Sequence, residues 1–136
     1  MTDEMGFEVR LAVSYEEAME KVVAALKKEG FGVLTRIDVK ATLQEKLGAD
    51  FRPYAILGAC NPPLAHKALS TDAVVGLMLP CNVTVEADPA GSGAIVRIAN
   101  PEAMMQMGAL QANETLREVA GQARKKLERV ADALVE

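Results

Sequence analysis

The chain has 136 residues, half of them apolar and a quarter charged, with a net charge of −4. That is the length of one domain, spanning 1–136, with enough apolar material to build a core without staples, so disorder and disulfide-scaffold classes fall away. The acidic balance, three Phe, two Tyr and no Trp give no electrostatic or stacking footprint for nucleic acid.

Residues 7–13 alternate apolar and polar and predict a strand. Ser14-Tyr15-Glu16-Glu17 is a capping box that starts a helix, and Gly30 ends it. Residues 33–39 predict a second strand, with Val33, Ile37 and Val39 on one face and Arg36 and Asp38 on the other. Asp38 then caps a short helix that Gly48 stops. The uncharged run from Tyr54 to Cys60 predicts a buried strand. Asn61-Pro62-Pro63 is a helix start, giving a short helix over 64–69 with His66 and Lys67 on its outer side. Residues 78–87 alternate most clearly, with Cys81, Val83, Val85 and Ala87 facing one way and Asn82, Thr84 and Glu86 the other. A Pro- and Gly-containing turn leads to a strand over 94–99, and Asn100-Pro101 opens another helical turn. The last helix covers 111–134, with an apolar stripe of Leu116, Ala120, Ala123, Leu127, Val130 and Leu134 in three-four spacing.

This order predicts an α+β two-layer sandwich: a mainly antiparallel sheet with both long helices on one face. The other face is polar, offering Arg10, Arg36, Asp38, Asn82, Thr84, Glu86 and Arg97 as a solvated surface, a ligand floor or an interface. The N-terminus shows two acids and no apolar segment, and no stretch is long enough to span a membrane. The expectation is a cytoplasmic protein with reduced thiols.

Charge is unevenly spread. Between Pro53 and Val85 only Lys67 and Asp72 are charged, and that window holds both cysteines, the only His and four of six prolines. Two Cys-Asn pairs, Cys60-Asn61 and Cys81-Asn82, sit at or beside strand ends. Two thiols near one imidazole could bind a soft metal, form a redox pair or supply a nucleophile. The simpler reading is that each cysteine is a small core hydrophobe, which the place of Cys81 on the apolar side of its strand favours. Met104, Met105 and Met107 read first as core or contact residues, and as part of a Cu(I)-type set if they converge with the cysteines. His66 reads first as a surface residue. No P-loop, zinc-protease or nucleophile-elbow motif occurs, and the basic trio at 124–126 is a solvated helix face.

The stretches 30–48 (Gly-Phe-Gly-Val-Leu-Thr-Arg-Ile-Asp-Val through Lys-Leu-Gly), 51–66 (Phe-Arg-Pro-Tyr through Ala-His) and 79–83 (Leu-Pro-Cys-Asn-Val) resemble the family called domain of unknown function 302. The resemblance runs over about residues 7–134. It implies a fold similar to the TATA-binding-protein-like class, β-α-β(4)-α with short helical inserts, and a homodimer, and it implies no activity. The resulting expectation is a dimeric protein binding a small ligand or soft metal at Cys60, Asn61, His66, Cys81 and Asn82. Two other readings stay open: a thiol-dependent enzyme using Cys60 or Cys81, and a structural self-association module. Cofactor and catalytic residues are unassigned.

Overall fold

The computed structural model describes residues 5–135. Five strands form one open sheet: β1 (Gly6–Leu11), β2 (Gly32–Asp38), β3 (Tyr54–Cys60), β4 (Cys81–Ala87) and β5 (Ala94–Ala99), in the order β1-β5-β4-β3-β2. Every neighbouring pair is antiparallel. The long helices are α1 (Tyr15–Lys28) and α5 (Glu114–Leu134). Shorter helices are α2 (Val39–Leu47), α3 (Pro62–Thr71) and α4 (Pro101–Met104), with 3-10 turns at Ala73–Met78 and Gly108–Ala112. The expected α+β architecture holds.

Register explains which side chains the helices cover. Phe7, Ile98, Val83 and Leu57 lie in one cross-strand row, and Val9, Val96, Val85 and Ala55 in the next. These rows meet Val22, Leu26, Leu127 and Val130 of α1 and α5 in the main core. A second, smaller core joins Ala68, Val75, Met105, Leu110, Leu116, Val119 and Ala120, so the N-terminal half of α5 packs on α3 and the 3-10 turns.

Helix starts follow the caps read from sequence. Ser14 accepts from the Glu17 N–H, Asp38 from Ala41, Asn61 from Leu64 and Asn100 from Glu102. Asn113 accepts from Leu116 and starts α5 at Glu114, three residues later than the predicted start, because Gly108–Ala112 closes as a 3-10 turn first. Helix α3 is longer than predicted at both ends. The predicted strand from 78 begins only at Cys81, because Asp72 caps the 3-10 turn through the Val74 N–H and Pro80 has no N–H to give a ladder.

The predicted faces of β2 need correction. A bulge between Val33 and Thr35 shifts the register, so Arg36 pairs with Leu57 and Asp38 with Ala55 on the helix side. One extra residue reverses the alternation. Arg36 and Asp38 therefore leave the polar face, while Ile37 joins it. Both charges act on the Tyr15 hydroxyl of α1: burial raises its pKa first, Asp38 raises it further, and Arg36 opposes them.

The polar face is not simply solvated. Glu86 is only 2% exposed and is held by Arg97 at 2.9 Å and Arg52 at 3.2 Å. Arg97 also bonds Glu8 at 3.0 Å. Burial alone would lower the Arg97 pKa, but the hydrogen bonds and charges of Glu86 and Glu8 raise it above its ordinary value.

Candidate functional site

Strands β3 and β5 end, and β4 begins, at the same edge of the sheet. Chain segments leaving that edge form α3, the turn over 73–78 and α4, which close against α5. The main core and the smaller core meet there without filling the seam. The result is a cavity of about 250 Å³. Ala59, Phe31 and Ala123 form its wall on the main-core side. Ala68, Met105, Val119 and Ala120 form the wall opposite.

Four of the five candidate residues line this cavity: Cys60, Asn61, Cys81 and Asn82. His66 does not. It lies on the exposed outer side of α3. Asn61 is buried and its amide is committed to the fold. Its oxygen accepts from the Leu64 N–H at 3.3 Å and its nitrogen donates to the Glu29 carbonyl at 3.3 Å. That second bond ties the start of α3 to the end of α1, so Asn61 shapes the wall. Asn82 is exposed and opposes Gly58 in register, so its amide is the more available polar group.

Both cysteines are free thiols and both are partly exposed. Ala59 pairs directly with Cys81, which places Cys60 one residue along from that pair. Burial pushes the Cys81 thiol up to about 11, and the neighbouring Cys60 adds to the rise. The ordinary value is 9.0, so the thiolate fraction at neutral pH falls by about 100-fold. Alkylation of Cys81 in the folded chain is therefore expected to be slow at pH 8 and to accelerate about tenfold per pH unit up to pH 11. A folded-state pKa raised above the unfolded one also gives stability that is full below pH 9 and lost between pH 9 and 11. That loss is about 2–3 kcal/mol, and urea melts of wild type against Cys81→Ala would read it as a pH slope that the variant lacks.

Among the described residues, no charged or imidazole side chain lines the cavity. Its walls are aliphatic and sulfur-bearing, with Met78, Met104 and Met105 beside the two thiols. Met107 lies outside, 59% exposed. The methionine contribution had a signal in sequence, the cluster over 104–107. The alanines of α3 and α5 that leave the space open had none, because small residues on an apolar stripe read as ordinary helix packing. Among the described residues, no group of three or more His, Cys, Asp or Glu is placed to hold a metal ion. No helix among them is long and apolar enough to cross a membrane.

The profile of the DUF302 family, a domain of unknown function, matches residues 7–134. Among solved structures, the chain is similar to an uncharacterized conserved DUF302 protein from Bacillus stearothermophilus. The two share 31% identity and superpose with a TM-score of 0.84, covering 96% of this chain and 98% of the other. No curated protein matches the chain.

Proposed function

The chain belongs to the DUF302 family, a domain of unknown function, and on that footing we propose that it is a binding protein for a compact, uncharged, largely apolar molecule held in the cavity at the sheet edge. The observation that carries this reading is the lining itself: about 250 Å³ of space between two cores with no charged wall. A charged ligand would lose its hydration there without a partner. The volume lies just below the roughly 300–1,000 Å³ of drug-sized sites, which favours a small ligand. We place the protein in a reducing, intracellular setting, where both thiols stay free.

Titration with cyclohexanol, followed by amide shifts in NMR spectra, tests this. Shifts are expected at Ala65, Ala68, Ala120 and Ala123, with a dissociation constant in the millimolar range, about −4 kcal/mol. The cavity-filling variant Ala120→Leu should bind at least about tenfold more weakly, and Ala68→Leu serves if the first does not fold. Shifts scattered over the surface, or equal binding by a folded filled variant, would remove the reading.

A thiol-dependent enzyme is the competing idea. The Cys81 thiol, pushed up to about 11, is mostly protonated at neutral pH, and among the described residues no side-chain base lines the cavity to activate either sulfur.

Self-association has a separate observation in its favour. Leu34, Ile37 and Leu47 are 67%, 49% and 73% exposed on the β2–α2 unit, and α2 buries no side chain. A nine-residue helix is marginal by itself, and β2 is an edge strand with ladder groups to spare. We propose a second copy as the occupant. Antiparallel pairing of two β2 strands about Ile37 would set each Arg36 opposite the partner's Asp38. Sedimentation equilibrium at tens of micromolar is expected to give twice the 14.5 kDa chain mass, and Ile37→Asp to give the single chain. A wild-type monomer would contradict this.

A further inference from the structure

The two cores leave a second kind of chemistry at the same cavity. We propose that its sulfur-lined end binds a soft monovalent d10 cation, Cu(I) or Ag(I), through the sulfurs of Cys60 and Cys81 with a thioether of Met104 or Met105 alongside. This rests on the cavity being open to solutes, as proposed above, but not on its taking an apolar molecule.

The chain has nine sulfur atoms, in seven Met and two Cys. The residues that carry five of them, Cys60, Cys81, Met78, Met104 and Met105, line this one space. They arrive from separate elements: the end of β3, the start of β4, the turn over 73–78 and α4 with the residue after it. Mid-strand neighbours 60 and 81 would point to opposite faces. Here both residues stand at strand ends and line the same cavity, and Ala59, the chain neighbour of Cys60, is the register partner of Cys81.

The donor set selects the ion. Among the described lining residues, oxygen-seeking cations find no carboxylate and a single exposed amide, that of Asn82, because the Asn61 amide is already spent on the Leu64 N–H and the Glu29 carbonyl. Zinc sites usually want four nitrogen, oxygen or thiolate ligands, which the lining lacks. Thiolate and thioether donors favour Cu(I) and its d10 relatives. A single positive charge also suits apolar walls, because one thiolate neutralises it. Binding is an exchange without electron transfer: a metal–sulfur bond forms, a sulfur–hydrogen bond breaks, and the proton leaves to water. Because a proton is released on binding, affinity climbs with pH.

The test is titration of the fully reduced chain with Ag(I), and anaerobically with Cu(I) against a Cu(I)-selective chromophoric chelator. One tightly held ion per chain is expected. Cys60→Ser and Cys81→Ser should each weaken binding by at least about tenfold, and Met104→Leu combined with Met105→Leu by a smaller but measurable factor. Met107→Leu should leave it unchanged. Circular dichroism confirms that each variant is folded. Binding that survives either serine variant, that scales simply with the number of thiols, or that responds to Met107 as strongly as to Met104 and Met105 would overturn the site. Cyclohexanol binding separates the two proposals, since loss of one result leaves the other standing.

Discussion

Replacing Leu57 with alanine is expected to cost about 2–5 kcal/mol of stability and to lower Tm by roughly 10 °C, read from urea and thermal melts. Leu57 sits in β3 between Arg36 of β2 and Val83 of β4, and it is fully buried in the main core under α1 and α5. The loss combines the transfer energy of the missing methyl-bearing carbons with a hole that a sheet held on both sides cannot close. Leu57 does not line the sheet-edge cavity. The folded fraction of the variant should therefore bind cyclohexanol as the wild type does, which separates core stability from site chemistry.

The second large effect is expected on the other face of the sheet, and it is asymmetric. Arg97→Met leaves Glu86 buried with Arg52 as its remaining ion-pair partner, and also removes the bond to Glu8. Removing one partner of a buried pair costs about 3–5 kcal/mol in fully buried cases. Arg97 is itself 43% exposed, and water there screens the change, so about 2–3 kcal/mol is the expected loss. Glu86→Gln should cost less, because Arg97 keeps Glu8 and its contact with solvent. The double variant Glu86→Gln, Arg97→Met should recover part of the Arg97→Met loss. Urea midpoints of the four proteins read this cycle. Equal costs for the two single variants would show that Glu86 is not a buried, dependent charge.

These two positions also show what local pattern can carry. Leu57 was legible because an uncharged run bounded by Pro53 and Asn61-Pro62 has few alternatives to a covered strand. The helix starts at Ser14, Asn61 and Asn100 were legible for the same kind of reason, since a cap is satisfied within three residues of itself. Glu86 read only as a residue of the polar face, solvated, a ligand floor or an interface, because alternation gives the face and not its depth. Its burial depends on Arg52 and Arg97, brought in from a loop and a neighbouring strand. The bulge near Leu34 had no Gly or Pro within the predicted strand over 33–39 to mark it, so Arg36 and Asp38 were assigned to the wrong side.

For the candidate site, the charge-poor window pointed to Cys60, Asn61, Cys81 and Asn82, and these line one cavity. His66 came from the same window, but the turn of α3 carries it outward. The walls from α4 and α5 lie 20 to 60 residues further along the chain, beyond what spacing within the window could register. Convergence of Met104 and Met105 with the cysteines is a property of the closed fold, set by how α4 docks on α5.

If the seam between the two cores is an open, apolar, binding-competent space, it admits small apolar atoms. Crystals pressurised with xenon test it most directly, because xenon enters apolar cavities that water leaves empty. The expected result is xenon between α3 and α5, in contact with Ala68, Val119 and Ala120 and displaced by Ala120→Leu. A wild-type crystal with that seam closed and xenon absent from it would contradict the account.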